Sequence, residues 1–247
     1  MSGAVATVTL DRPQRRNAQH PAMWAALRDI GRSLGGQVRV VVVQGAGAAF
    51  SAGLDLAMFT PEGLPGAPSF REMASMADAD ADAVIAGYQA AFSWLSRPDL
   101  VSVAAVQGHA VGAGFQLALA CDLRVLADDA QFTMAETSRG IVPDLGGSGI
   151  LVDLVGYPRA LEICATGRRV GATEAVALRL AEAVVPAAEL TAAVADLVAA
   201  LLTPPRDAVV ETKALLQAAR TRTDADRLRA ERAAQLRRLR DLAGTGE

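Results

Sequence analysis

The stretch VQGHAVGAGFQLALACD, residues 106–122, determines the predicted fold. It continues a short apolar run, residues 101–106, whose β-branched composition is typical of a buried strand. Glycines at positions 108, 112 and 114 precede an apolar segment, residues 115–121, that is typical of a helix. A strand, a glycine-rich turn and a helix start in succession leave backbone N–H groups unpaired at the helix N-terminus. The sequence therefore predicts a binding site for an anion or a polarised oxygen at this turn.

Dinucleotide binding is the main alternative function for such a glycine-rich turn. The motif G-x-G-x-x-G could begin at Gly112, but Leu117 occupies its third glycine position. A second partial copy begins at Gly45, after the apolar run 38–43, and has Phe50 at the corresponding position. Two incomplete copies argue against an enzyme that uses a nicotinamide or flavin cofactor. For each stretch taken alone, glycines that only make tight turns remain an alternative.

Two motifs together resemble the paired signature of the enoyl-CoA hydratase/isomerase (crotonase) family. The first motif is FSAGLDL, residues 50–56, and the second is the stretch 108–122, about sixty residues later. The resemblance covers nearly the whole chain. It implies an α/β fold in which ββα units form a crotonase-like spiral with a C-terminal helical extension. We expect the core at residues 1–190 and the helical region at residues 191–247, both within one structural unit.

The same resemblance implies a site for the thioester of an acyl-CoA. In the family, two backbone N–H groups hold the thioester carbonyl, and the matching residues here are Leu54 and Ala113. Residues 15–18 resemble a family segment near the adenosine end of the coenzyme, although loop arginines are usually only solvated. The residues expected to contact coenzyme A, as part of the substrate, are Arg15, Ala18, Ser51, Ala52, Gly53, Asp55, Leu56 and Gly112. The resemblance implies no prosthetic group and no metal.

Carboxylates are the candidate acid/base groups. Adding water to a double bond conjugated to a thioester requires a base for the water and an acid for the α-carbon. Hydratases of the family use two glutamates for these roles. Matching the motifs places Glu136 at the second glutamate position, whereas Gln116 occupies the first. An amide can orient a water molecule but does not titrate, so the usual two-carboxylate hydration lacks one of its groups.

Three interpretations of this departure stay open. Glu136 alone could shift a double bond, since one base can take a proton from C2 and return it at C4, with Gln116 in an auxiliary role. Asp144 could supply a second carboxylate, because dienoyl-CoA isomerases of the family resemble this chain in having an aspartate there. Against this second interpretation, Asp144 could have only a structural role as the cap of the helix predicted to begin near Ser148. The third interpretation is a non-catalytic acyl-CoA-binding protein that has lost one carboxylate.

Composition argues against several classes of function. The net charge is −3 and no block of lysine and arginine is present, so there is no electrostatic case for nucleic-acid binding. No apolar run approaches the roughly 18 residues of a membrane span, and the N-terminus lacks the features of a signal peptide. We therefore expect a cytoplasmic protein without membrane contact. The two cysteines are expected to be buried free thiols.

Two further segments are expected to border the site or a partner. Residues 59–83 are rich in proline and glycine and are predicted to form a long loop. The resemblance places this loop beside the acyl pocket, where the residues expected to tune chain length are Met58, Phe59, Phe70 and Met73; incidental surface residues are the alternative. A helix predicted at residues 224–242 has leucines on one side, and the family packs this region between subunits. We expect a homotrimer or a dimer of trimers.

Overall fold

A computed structural model describes residues 3–244 as a mixed α/β fold with two sheets. The strands are β1 (Val5–Leu10), β2 (Val40–Gly45), β3 (Val101–Val106), β4 (His109–Val111), β5 (Leu123–Ala127), β6 (Gln131–Thr133), β7 (Arg169–Gly171) and β8 (Ala183–Val185). The α-helices are α1 (Pro21–Ser33), α2 (Phe70–Met73), α3 (Asp78–Ser93), α4 (Ala113–Ala120), α5 (Gly147–Val155), α6 (Tyr157–Thr166), α7 (Ala172–Ala177), α8 (Leu190–Leu202), α9 (Arg206–Ala219) and α10 (Asp224–Leu242). The predicted α/β class is confirmed.

The larger sheet has five parallel strands in the order β1-β2-β3-β5-β8. β2 reads VVVVQG and β3 reads VSVAAV, and β3 is buried along its whole length. Such apolar strands are covered on both faces, as is usual for parallel sheets. Val41 and Val43 join a core that includes α1 and α4, whereas Val40 and Val42 face a second core beneath α8. The alternation of side chains thus divides the core into two layers.

The smaller sheet brings the central glycine-rich stretch against later segments of the chain. β4 pairs with β6 in parallel, and β6 pairs with β7 in antiparallel orientation. Gly108 (φ +53) joins β3 to β4, and Gly112 (φ +50) joins β4 to α4. A Cβ atom at Gly108 would lie 2.2 Å from the carbonyl oxygen of Ala48, so only glycine fits there. The predicted strand, turn and helix are confirmed, with the short strand β4 inside the turn.

The loop predicted at residues 59–83 is partly helical. The Ser69 hydroxyl accepts a hydrogen bond from Glu72 N at 3.2 Å, and a Glu72 carboxylate oxygen accepts one from Ser69 N at 2.7 Å. This capping box satisfies two backbone donors and starts α2. α3 then begins at Asp78, within the predicted loop. The loop prediction was wrong for these residues because it relied on the prolines and glycines that precede Ser69. Phe59 and Phe70 pack edge to face, with ring centroids 4.7 Å apart.

The C-terminal helices attach to the core by apolar packing and by hydrogen bonds. Leu190 and Val194 of α8 pack on the larger sheet. Lys213 of α9 donates hydrogen bonds to Asp122 Oδ2 at 2.7 Å and to the Leu100 carbonyl oxygen at 2.7 Å. The predicted boundary between the core and the helical region, between residues 190 and 191, falls at the start of α8. Between residues 3 and 244, no single helix is long and apolar enough to cross a membrane.

Candidate active site

Two glycine-rich turns meet beside the smaller sheet. The first turn, residues 50–56, pairs with β4 through hydrogen bonds from Ser51 N to His109 O and from Val111 N to Ser51 O, both 2.9 Å long. Gly53 (φ +84) lies directly against the second turn. A Cβ atom at Gly53 would lie 2.5 Å from Val111 O and 3.8 Å from Ala113 N. Only glycine therefore allows the two predicted motifs to approach this closely.

Leu54 N and Ala113 N are the candidate donors to a thioester oxygen. Ala113 is the first residue of α4, so its N–H has no acceptor within the helix. Gln19 bonds to both neighbours of Leu54: Gln19 N donates to Gly53 O at 2.6 Å, and Asp55 N donates to Gln19 O at 2.7 Å. Among residues 3–244, neither Leu54 N nor Ala113 N has an acceptor. Both N–H groups thus remain available at adjoining turns.

A cavity opens beside the two turns. Leu54 lines it from the first turn and Gly112 from the second. Glu136 and Arg139 line it from the 3-10 helix Glu136–Arg139. Ala52, Gly53 and Leu56 of the first motif contribute as well. The structure thus places the two motifs and Glu136 around one cavity.

Gln116 and Glu136 form a buried hydrogen-bonded pair behind the cavity. Gln116 Nε2 donates to Glu136 Oε1 at 2.7 Å, and the two residues are 1% and 4% exposed. Gln116 Oε1 accepts from Leu145 N at 2.9 Å and from Gly147 N at 3.2 Å. Because backbone N–H groups only donate, they determine which end of the amide faces Glu136. Glu136 Oε2 is buried and has no hydrogen-bond partner in the described part of the chain.

Two glycines leave room for this pair. A Cβ atom at Gly112 would lie 3.2 Å from Glu136 Oε1, and one at Gly147 would lie 2.7 Å from Gln116 Cγ. Gly112 also has a φ of +50° and a ψ of −116°, a conformation that residues with a Cβ atom rarely adopt. The second motif therefore supplies both the start of α4 and the surface against which the Glu136 carboxylate packs.

Burial raises the pKa of Glu136 above the ordinary glutamate value. Hydrogen bonds from the backbone and from Gln116 counteract part of this effect, and the charge of Asp144 raises the pKa further. Burial also raises the pKa of the Asp144 carboxyl. A perturbed carboxyl group beside a cavity, here that of Glu136, is typical of a site where protons are transferred.

Asp144 does not cap a helix. α5 begins at Gly147, its N-cap is Gly146, and no side chain caps it. The interpretation of Asp144 as a helix cap is therefore wrong. Its carbonyl oxygen accepts a hydrogen bond from Gln89 Nε2 at 2.7 Å, which ties this loop to α3.

Four of the predicted coenzyme contacts lie outside the cavity. Arg15 is exposed, and the carbonyl oxygen of Ala18 accepts a hydrogen bond from Arg12 Nη1 at 2.6 Å. Asp55 forms an ion pair with the same Arg12 nitrogen at 3.0 Å. Ser51 is fully buried behind the first turn. The contacts of these residues with a coenzyme stay predictions, whereas the bonds of Arg12 to Ala18 and Asp55 tie residues 12–18 to the first turn.

Several residues of the site were not identified from the sequence, among them Leu145, Gly147 and Gln19. Leu145 and Gly147 contribute backbone N–H groups, and Gln19 contributes backbone groups and a buried amide. Backbone groups leave no pattern in residue types. The pair Gly146-Gly147 before an apolar helix was the only available signal, and it marked the start of α5 rather than a partner for Gln116.

Nearly the whole chain matches the sequence model of one protein family. Residues 1–241 match the model described as enoyl-CoA hydratase/isomerase. The chain belongs to the enoyl-CoA hydratase/isomerase family. The family resemblance read from the two motifs, the crotonase-type fold and a function of the enoyl-CoA hydratase/isomerase type are thereby confirmed.

Relatives and solved structures agree with this membership. A probable enoyl-CoA hydratase of Mycobacterium tuberculosis, echA8, is 32% identical over 188 residues, which are 75% of this chain and 67% of the relative. The carnitinyl-CoA dehydratase of Escherichia coli is 35% identical, over 76% of this chain and 67% of its own. A Thermobifida fusca YX protein assigned as an enoyl-CoA hydratase, solved with CoA, is 51% identical with a TM-score of 0.94, over 99% of this chain and 93% of its own. The same protein was also solved with acetoacetyl-CoA.

Proposed function

We propose that this family member moves the double bond of a 3-enoyl-CoA to the 2,3 position, with Glu136 as its single acid/base. The observation that carries this proposal is the bonding of Gln116. Its oxygen accepts from two backbone N–H groups, and its nitrogen donates to Glu136, so it offers no group that transfers a proton. Hydration needs both a base and an acid, whereas isomerisation needs one group that takes a proton and returns it.

Glu136 Oε2 is the atom that we assign to proton transfer. The ionised carboxylate removes a proton from C2, and the C–H electrons move into the thioester to give an enolate. Leu54 N and Ala113 N hold the enolate oxygen by hydrogen bonds. Glu136 then returns the proton at C4 while the double bond forms between C2 and C3. No water is consumed, and Glu136 ends in its ionised form.

The environment of Glu136 suits this role. Burial raises the pKa of its carboxyl, and a base of higher pKa removes a weakly acidic C–H proton more readily. The bond from Gln116 occupies Oε1, whereas Oε2 has no hydrogen-bond partner within residues 3–244, so we assign the proton transfer to Oε2. Gln116 thus orients the base and does not orient a water molecule.

An acyl-CoA is the substrate class that the family and its solved relatives support. The Thermobifida fusca protein binds CoA and acetoacetyl-CoA in its crystal structures. In this chain we assign coenzyme contacts to Arg15, Ala18 and the first motif, as the resemblance predicts. The reaction steps above require no prosthetic group.

Hydration is the second candidate activity, and one observation favours it. The charge of Asp144 raises the pKa of Glu136, so the two carboxyl groups are close enough to interact. Asp144 would then act as the second carboxylate in place of Gln116. The third candidate, a non-catalytic acyl-CoA-binding protein, is favoured only by the loss of the glutamate at position 116.

One pair of substrates separates the three candidates. An isomerase converts 3-hexenoyl-CoA to a conjugated product, a hydratase consumes the absorbance of crotonyl-CoA, and a binding protein does neither while it still binds both esters. We expect isomerisation by the wild type and a loss of about 10²–10⁴-fold in Glu136→Gln. The control Glu189→Gln removes an exposed carboxylate far from the cavity and should keep full activity. Full activity in Glu136→Gln would refute the proposed role of Glu136.

We also propose a homotrimer or a dimer of trimers. The support is an apolar side of α10 that is exposed in the single chain. The leucines on it, with their exposed fractions, are Leu228 (55%), Leu236 (53%), Leu239 (48%) and Leu242 (84%). Apolar side chains that cluster on one exposed helix side are typical of a contact surface.

A further inference from the structure

We propose that Gln19 is a positioning residue that directs the Leu54 N–H at the thioester carbonyl. The inference rests on the proposed function, because it concerns the oxyanion hole of that reaction. Gln19 is completely buried and lies just before α1, more than thirty positions from the motif it contacts. It does not line the cavity, so it acts through the first turn and not on the substrate.

The backbone of Gln19 holds the first turn on both sides of Leu54. Gln19 N donates to Gly53 O at 2.6 Å, and Asp55 N donates to Gln19 O at 2.7 Å, which makes a parallel β-bridge between Gln19 and Leu54. In an extended segment, the backbone groups of successive residues point to opposite sides. Because the Gly53 carbonyl and the Asp55 N–H face Gln19, the Leu54 N–H points away from Gln19.

The side chain of Gln19 bonds to the same turn. Gln19 Nε2 donates to Ser51 Oγ at 3.1 Å, and Trp24 Nε1 donates to Gln19 Oε1 at 2.8 Å. Ser51 Oγ also accepts from Gly53 N at 3.2 Å and donates to the Asn17 carbonyl oxygen at 2.8 Å. The hydroxyl is therefore satisfied as a donor and twice as an acceptor.

These bonds explain why Leu54 N is left free among residues 52–55. Ala52 N donates to Arg16 O, Gly53 N donates to Ser51 Oγ, and Asp55 N donates to Gln19 O. Within the described residues, Leu54 N alone of this group has no acceptor. A fully satisfied buried network is rigid. An oxyanion donor needs such rigidity, since a displacement of about 1 Å can cost on the order of 100-fold in rate.

The substitution Gln19→Met tests this role. It removes both side-chain hydrogen bonds but keeps the approximate volume and the backbone bridge. With 3-hexenoyl-CoA we expect kcat to fall on the order of 10–100-fold while KM changes little. A second readout uses butyryl-CoA labelled with ¹³C at the carbonyl, which binds without a double bond to move. Its carbonyl stretch should shift to lower frequency on the wild type and much less on Gln19→Met.

Two further variants keep the test decisive. Trp94→Phe is the matched control, because Trp94 is also buried but packs on Gly31 of α1 and not on the turn. It should lower the Tm and leave kcat and the carbonyl shift unchanged. Ser51→Ala removes the acceptor of both Gln19 Nε2 and Gly53 N, so it should reproduce the losses of Gln19→Met.

The outcomes separate this inference from the proposed function. A normal kcat and a normal carbonyl shift in Gln19→Met or in Ser51→Ala would overturn the role of Gln19 and leave the oxyanion hole intact. If the wild type itself did not shift the carbonyl stretch of bound butyryl-CoA, the oxyanion hole would be wrong, and the proposed function would fall together with this inference.

Discussion

At the scale of single residues, Gln116 sits where a glutamate would also be accommodated. Leu145 N and Gly147 N, which now bond to the amide oxygen, would stabilise a carboxylate oxygen in the same place. In Gln116→Glu the other oxygen would face Glu136 Oε1, and two such close carboxylates share one proton. The variant would therefore hold an acid and a base together.

We expect Gln116→Glu to gain hydratase activity on crotonyl-CoA, about tenfold or more above the wild type. Loss of the conjugated enoyl absorbance measures it. The matched control is Gln116→Met, which fills similar space without a polar group and should not hydrate crotonyl-CoA. Equal hydration rates in the two variants would show that the residue at position 116 does not select the reaction.

Glu136 should make the stability of the protein depend on pH in a specific direction. Burial raises the pKa of the folded-state carboxyl above its unfolded value, so the folded protein binds the proton more tightly. Its contribution to stability is present below the unfolded pKa and is lost as the pH rises through the folded pKa. We expect Glu136→Gln, which has no proton to lose, to become the more stable protein as the pH approaches 7.

Chemical denaturation of both proteins at several pH values measures this difference in the free energy of unfolding. Asp144 is retained in both proteins, and the burial that raises its pKa is the same in both. A constant difference between pH 4 and 7 would contradict the raised pKa of Glu136.

At the scale of elements, the turn into α4 should tolerate no side chain. Gly112→Ala places a Cβ atom 3.2 Å from Glu136 Oε1 and forces alanine into a conformation that favours glycine. We expect a loss of about 1–3 kcal/mol in the free energy of unfolding together with a loss of activity. Gly149→Ala, in the exposed first turn of α5 with open space around it, should instead stabilise by about 0.5–1 kcal/mol. Denaturant unfolding of both variants measures the change in the free energy of unfolding. Changes of the same sign in the two variants would contradict this prediction.

Elements with a strong local pattern could be predicted from the sequence. The strand, turn and helix from β3 to α4 appeared with small shifts of their ends, and the helix predicted at residues 224–242 is α10. β4 and β7 are three residues long, which is too short for a period to be read, and their existence depends on pairing with distant partners. α2 was missed although Ser69 and Glu72 form a recognisable capping box.

The candidate site was predictable where it rests on motif residues. Leu54, Gly112 and Glu136 could be placed by the two motifs and the following strand, and they line one cavity. Gln19 could not be placed in the site from the sequence, because a buried amide that bonds to a distant turn has no local signature. The pairing of Gln116 with Glu136 could not be predicted either, since the sequence indicates only which groups are present and not which way an amide faces.

At the scale of the whole molecule, the exposed leucines of α10 predict assembly. Light scattering should give a mass of three or six times the chain mass of 25.5 kDa. Leu239→Glu places a charge among these leucines and should reduce the assembled fraction, whereas Leu239→Met should not. A wild-type protein that remains a single chain at micromolar concentration would contradict the proposed trimer.

In the proposed reaction one carboxylate, that of Glu136, carries a proton from C2 to C4. The most direct measurement follows deuterium by NMR during turnover of 3-hexenoyl-CoA that is dideuterated at C2, in ordinary water. Because Glu136 Oε2 is buried and without a hydrogen-bond partner among residues 3–244, we predict that the 2-hexenoyl-CoA product carries deuterium at C4. A product with only hydrogen at C4 would contradict direct transfer by a base sheltered from water, and a 3-hydroxyacyl-CoA in its place would contradict isomerisation.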